Sequence, residues 1–301
     1  MKSDHSPLFI FLVLIISVTP SPVSAQVPVI NAFAPVSGAI GSTVTITGSN
    51  FGATPSDNLV YFGQVRGVVT TASSSSLSVT VPVGAACAPI SVTANHLTAF
   101  SNLSFHTTFE SNDSLVRSSF VTGINVVTGS STMDVTAGDF DGDGKPDLVS
   151  ANPYDYTISV VGNSSTPGNF SFTPKLDLTV GHQATNVTVA DLDGDGMLDL
   201  AVTSSDLNAV SVFRNSSTPG TIAFNAKADF ATGAGPDKIL ASDLDGDGKT
   251  DLIVLDLHVD SMTVLRSTGT PGTTGFAPDT TCTACRGKTT KPPKRSPISC
   301  G

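Results

Sequence analysis

Three short acidic loops hold the residues best suited to chemistry. Asp139-Phe-Asp141-Gly-Asp143-Gly-Lys-Pro-Asp147 recurs as Asp191-Leu-Asp193-Gly-Asp195-Gly-Met-Leu-Asp199 and as Asp243-Leu-Asp245-Gly-Asp247-Gly-Lys-Thr-Asp251, each copy 52 residues after the last. Calcium takes about six to eight hard oxygen ligands, so a loop must bring several carboxylates to one point. Positions 1, 3 and 5 converge if the chain curls tightly, and glycine at positions 4 and 6 allows the positive φ angles such a curl demands. The first site is then Asp139, Asp141, Asp143, the Lys145 carbonyl and Asp147. The second is Asp191, Asp193, Asp195, the Met197 carbonyl and Asp199; the third is Asp243, Asp245, Asp247, the Lys249 carbonyl and Asp251.

Without a cation four such carboxylates repel one another, so they suit a cation cage better than a catalytic acid–base pair. An EF-hand would need an acidic residue at position 12 and a helix on either side. Ser150, Val202 and Val254 stand at position 12, and the flanks read as β. The chain has no GxSxG elbow, no HExxH and no phosphate-cradling loop, and His182 and His258 lack a partner at suggestive spacing. The expectation is about three calcium ions and no enzyme activity.

Strands must position these loops. The 52-residue register also links Phe120, Phe172, Phe224 and Phe276, then Pro167, Pro219 and Pro271, then Gly129, Gly181 and Gly233. Val187 and Val189 lead into the second loop, and Leu200-Ala201-Val202 leaves it as an apolar run suited to a strand buried on both faces. Ala209 to Phe213 alternates up to a turn at Asn215-Ser-Ser-Thr-Pro219-Gly220, and Phe224 marks a further strand. Four short strands per unit of this length is the size of a propeller blade.

These loops closely resemble those of the integrin α-chain propeller and its bacterial FG-GAP/VCBS relatives. The resemblance implies a partial β-propeller over residues 119–278, with calcium held at the aspartates named above. It also implies that the metal stiffens the loops while binding partners meet other faces. Thrombospondin type 3 arrays share the DxDxDG core but are shorter in period and richer in cysteine.

Residues 27–108 read as short strands punctuated by glycine, proline and serine: Val44-Thr-Ile46-Thr, Val60-Tyr-Phe62-Gly63, Leu77 to Val81, and Ile90-Ser-Val92-Thr. Such strands fit a β-sandwich. The series Pro35-x-x-Gly38, Gly41-x-x-Val44-x-Ile46-x-Gly48-x-x-Phe51-Gly52, Val60-x-Phe62-Gly63 and Val81-Pro82 resembles the IPT/TIG immunoglobulin-like domain, which implies a spacer or protein-contact module. His96 and His106 lack ligand spacing and are expected at the surface.

The remaining segments set the context. Lys2, the apolar run Leu8–Val18 and Val23-Ser24-Ala25 form a signal-peptide pattern over 1–25, and no stretch is long enough for a membrane span. A secreted, extracellular or surface location follows. Residues 109–118 read as a linker, and 279–301 as a basic, repeat-free tail. Arg295 and Cys285 stand there where the register calls for Asp and Gly, so the reading frame is expected to be truncated or shifted. Cys87 stands apart from Cys282, Cys285 and Cys300, leaving three pairings open; the lone CxxC lacks the second pair or nearby histidine of a zinc site. Twelve of the 25 acidic residues sit in the three loops, and three calcium ions would bring the net charge from −10 to −4. That balance gives no electrostatic case for nucleic acid. Three roles remain: an adhesion or protein-interaction module, a glycan-binding accessory to a carbohydrate-active protein, and a structural matrix component. The absence of tryptophan and the presence of only three tyrosines weaken the glycan option.

Overall fold

Val44 and Ile46 alternate with threonines, and that period of two gives a strand with one dry face. The computed structural model describes residues 26–108, 123–166 and 168–278. The expected signal peptide, the linker 109–118, the tail with Cys282, Cys285 and Cys300, and the register residues Phe120 and Pro167 lie outside the described residues. The chain is all-β apart from one 3-10 turn at Pro55–Asp57 among the described residues.

The first sheet contains β1 (Val29–Ala34), β2 (Ser37–Gly38), β3 (Thr43–Ser49), β4 (Asn58–Phe62), β5 (Val65–Ser73), β6 (Ser76–Thr80), β7 (Ala88–Ala94) and β8 (Leu97–Thr107), in the order β1-β3-β6-β5-β4-β7-β8-β2. Strand β5 pairs with β4 through Val65–Gly67 and with β6 from Val68 onward, so it carries the sheet from one layer to the other. A Cβ at Gly67 would come within 2.9 Å of both Phe62 and Val79, which is why glycine marks the crossing. Between the layers lie Val44, Ile46, Val60, Phe62, Leu77, Val79, Ile90, Val92 and Phe105, all fully buried. Each such side chain contributes roughly 1.5–3 kcal/mol. Phe62 and Phe105 meet edge to face at 5.1 Å. This is the expected immunoglobulin-like sandwich.

Each repeat folds into one antiparallel four-stranded blade. The first holds β9 (Asp134–Gly138), β10 (Asp147–Asn152), β11 (Thr157–Val161) and β12 (Leu176–Thr179). The second holds β13 (Ala184–Ala190), β14 (Asp199–Ser204), β15 (Ala209–Phe213) and β16 (Ala228–Ala231). The third holds β17 (Pro236–Ser242), β18 (Asp251–Asp256), β19 (Ser261–Ser267) and β20 (Phe276–Pro278). The acidic loop always joins the first strand to the second. Strands β14 and β15 are buried at every residue, as the apolar run at Leu200–Val202 predicts for β14. Adjacent blades are tied at their first strands: Asp134 accepts from the Val187 amide at 3.0 Å, and Asn186 Oδ1 accepts from the Ile239 amide at 3.0 Å.

One expectation shifts. Phe172 and Phe224 do not open the fourth strand; they bridge to Asn163 and Asn215, and the strand starts later, at Leu176 and Ala228. Only Phe276 opens its strand, β20. Phe224 instead packs across the blade boundary, edge to face with Phe140 at 5.6 Å. Among the described residues no helix is long and apolar enough to cross a membrane.

Candidate metal centre

The three loops curl alike because their glycines adopt left-handed backbone: φ is 73° and 84° at Gly142 and Gly144, with near-equal values at Gly194, Gly196, Gly246 and Gly248. The carboxylate at position 1 holds the far end of the curl, accepting from the position-6 amide at 3.0 Å (Asp139–Gly144), 3.0 Å (Asp191–Gly196) and 2.9 Å (Asp243–Gly248). Position 9 anchors the loop to its blade. Asp147 accepts from the Phe140 amide at 2.9 Å and the Asn163 amide at 2.7 Å. Asp199 and Asp251 repeat both bonds.

This folding gathers oxygens. In each loop, Asp139, Asp141 and Asp147; Asp191, Asp193 and Asp199; and Asp243, Asp245 and Asp251 offer one oxygen apiece, all within 4.8 Å of one another. Three clusters of this kind, the first two largely buried and the third more exposed at Asp245, could hold a metal ion. Asp139 adds a specific mark: its Oδ1 is buried with no hydrogen-bond partner. An unpaired buried carboxylate oxygen is costly, so a cation is the natural partner for it. The other such oxygen among the described residues, on Asp256, lies at the end of β18 away from the loops.

Burial works against ionisation in the first two clusters. Desolvation first, then the neighbouring aspartates, raises Asp139 to about 6, Asp147 to about 7 and Asp191 to about 7. Asp199 is pushed well above the usual carboxylate range, chiefly by burial. A dication at the cluster reverses this balance by favouring the charged form.

The expected ligand set is therefore only partly gathered. Asp143, Asp195 and Asp247, at position 5, stand outside the converging trios. Their Oδ1 atoms accept from the amides of Lys145, Met197 and Lys249 at 2.8–2.9 Å. Their other oxygens face cations: Lys145 at 3.0 Å, Arg214 at 2.9 Å and Arg266 at 3.5 Å. The position-7 carbonyls of Lys145, Met197 and Lys249 accept no hydrogen bond from any described residue.

Several contributors escaped the sequence reading. Arg214 and Arg266 also bond the position-3 aspartates, Asp193 and Asp245. They keep the 52-residue offset, with Gly162 in the first blade, and that register was the available signal. The following blade closes each of the first two loops. Asn215 Nδ2 donates to the Phe140 carbonyl at 2.9 Å, Gly220 donates to Asp141 Oδ2 at 3.1 Å, and Gly272 donates to the Asp193 carbonyl at 3.3 Å. Phe140 and Leu192, at position 2, are buried beneath that neighbour, whereas Leu244 of the third loop is 52% exposed. His96 and His106 are at the surface as expected, but His96 Nδ1 lies 2.7 Å from the Gly194 carbonyl, and His106 Nδ1 lies 3.1 Å from Cys87 Sγ.

Comparison with known proteins agrees with this organisation. The profile of the IPT/TIG domain matches residues 28–109, and that of the FG-GAP-like repeat matches residues 139–202 and 191–254. No curated protein sequence gives a significant match. Among solved structures, an auxiliary nutrient binding protein from Bacteroides ovatus is 13% identical over 84% of this chain and 86% of its own, with a TM-score of 0.27. A putative phosphatase from Bacteroides thetaiotaomicron is 14% identical over 80% of this chain and 55% of its own, also with a TM-score of 0.27. Scores this low support no argument about function.

Proposed function

We propose that this chain, an IPT/TIG domain followed by FG-GAP-like repeats, is a secreted, non-catalytic calcium-binding protein. Its repeats would serve as a stiff extracellular adhesion or protein-interaction module. Residues 27–108 act as the spacer and residues 119–278 as the calcium-stiffened surface. The observation that carries this reading is Asp139 Oδ1, buried and unpartnered within a trio of mutually close carboxylates.

The ion supplies two positive charges at the trio and favours the ionised carboxylates. The rest falls to the chain's own groups. Asp139, Asp191 and Asp243 hold the position-6 amides and offer oxygens to the centre. Asp141, Asp193 and Asp245 supply the second oxygen. Asp147, Asp199 and Asp251 supply a third while fixing the loop to its blade. Asp143, Asp195 and Asp247, with the carbonyls of Lys145, Met197 and Lys249, complete the shell proposed from the loop pattern. Hard oxygens alone, with no cysteine or histidine in the trios, favour calcium over zinc.

Calorimetric titration of calcium into the chelator-treated mature protein, with thermal melts alongside, tests this. The expected result is about three sites, affinities on the order of 10⁻⁴–10⁻³ M, and a melting point that rises with calcium. A folded protein that shows neither heat nor shift would end the reading.

A second reading, glycan binding, draws on Tyr154 and Tyr156. Two of the three tyrosines are exposed on the single turn between β10 and β11, where rings can stack on sugars. Binding on a glycan array that is lost in Tyr154→Ala would move the assignment there.

A further inference from the structure

The immunoglobulin-like domain sits on the acidic loops, and it grips their backbone. Gln64, in the turn between β4 and β5, accepts from the Asp139 amide at 3.0 Å, which is position 1 of the first loop. Tyr61 Oη donates to the Gly196 carbonyl at 2.6 Å, position 6 of the second loop, and His96 Nδ1 meets the Gly194 carbonyl at 2.7 Å. The Thr98 amide donates to the Gly248 carbonyl at 2.7 Å, position 6 of the third. All three loops are contacted, always at backbone groups inside the curl that the aspartates close.

Apolar packing reinforces the contact. Tyr61 is 5% exposed and belongs to one buried cluster with Phe140, Leu198 and Leu200 of the repeats. Leu59 lies over Gly196, and Val27 and Leu97 lie over Gly248. The places of these acceptors depend on the loop's shape. That shape holds several carboxylates together against their mutual repulsion unless they are protonated or bound by a cation.

We propose that cation occupancy of the acidic loops locks the immunoglobulin-like domain onto the repeats, so that the two domains form one stiff body with calcium and lose their hydrogen-bonded contact without it. This rests on the calcium reading above and adds a consequence for the partner domain. Linkage makes the effect reciprocal: if calcium favours docking, docking favours calcium to the same degree. Tyr61 is the clearest lever, because its hydroxyl joins a buried carbonyl of the second loop.

Hydrogen exchange on the full chain, with calcium and with chelator, is the test, run beside the calorimetric titration. The expected result is that calcium slows exchange at the Thr98 amide, whose acceptor lies in the other domain. In addition, Tyr61→Phe should weaken calcium binding by roughly 2- to 10-fold, the loss expected for one hydrogen bond. Calcium heat with unchanged exchange at Thr98, and unchanged affinity in Tyr61→Phe, overturns the coupling while leaving the calcium sites standing. Absence of calcium heat overturns both.

Discussion

Arg214 closes on Asp193, donating through Nε to its Oδ2 while Nη2 reaches Asp195 at 2.9 Å. The second loop thus carries its own cation beside the carboxylate trio. Arg266 does the same for the third loop, more loosely and with half of its side chain exposed. Gly162 fills the equivalent place in the first blade and carries no such arm; a Cβ there would stand 3.1 Å from both Ile222 and Thr173.

A guanidinium held by two of the aspartates opposes a dication at the same loop. Arg214→Gly should therefore tighten calcium binding at the second loop. A partly exposed pair of this kind is worth about 1 kcal/mol, or roughly fivefold in affinity. Arg266→Gly should do less. Calorimetry on both variants checks the order; weaker binding in Arg214→Gly would show instead that the arginine braces the aspartates for the ion.

Asp139→Asn separates metal binding from folding. With calcium present, the variant should lose the first site, with affinity there down about tenfold or more. With chelator at pH 7.5 the sign reverses. Asp139 is raised to about 6 by burial, so its ionised form weighs on the metal-free fold and the neutral amide relieves it. Melts in both buffers should cross: lower than the parent in calcium, higher in chelator. A loss of stability in both would mark Asp139 as a purely structural carboxylate.

The metal-free protein should also prefer acid. Asp139, Asp147 and Asp191 start from 3.8 in an unfolded chain and rise to about 6, 7 and 7 when folded. The folded state then binds more protons than the unfolded state between those values. Stability is highest near pH 4 and declines as pH climbs toward 7. Asp177 acts in a separate window: Lys175 and Ser159 hold its carboxyl low, so its share is lost only as pH falls below the ordinary value. Melting temperatures in chelator from pH 4 to pH 8 should fall, and calcium should remove most of that slope. A flat profile in chelator would mean that the clusters are more hydrated than their burial indicates.

Much of this architecture was legible because repetition turns weak local signals into strong ones. The acidic loops announced themselves through residue type, glycine spacing and a constant offset, and Leu200–Val202 announced a fully buried strand. What failed to show depends on neighbours. Phe224 reads as the start of a strand by its register, yet it bridges to Asn215 and packs on Phe140 of the preceding blade. Tyr61 reads as an ordinary strand residue, and only the docking of two domains gives its hydroxyl a partner 135 residues away. Asp195 occupies a ligand position by pattern, but Arg214 holds its Oδ2. The 52-residue register marks Arg214 and Arg266 as equivalent, but it does not say which aspartates they meet.

That dependence on neighbours separates two glycines at the same loop position. Gly142 and Gly194 both sit at position 4, with φ of 73° and 71°, so alanine strains the backbone equally at each, by about 1–2 kcal/mol. A Cβ on Gly142 would meet nothing within 4 Å. One on Gly194 would stand 2.7 Å from the His96 carbonyl oxygen, a backbone atom of the immunoglobulin-like domain that cannot rotate aside. Gly194→Ala should therefore cost a further ~1–3 kcal/mol, the usual penalty for overpacking. Its melting point should fall clearly below that of Gly142→Ala, and exchange at Thr98 should quicken in Gly194→Ala alone. Equal melting points for the two variants would mean that the domain does not press on the second loop in solution.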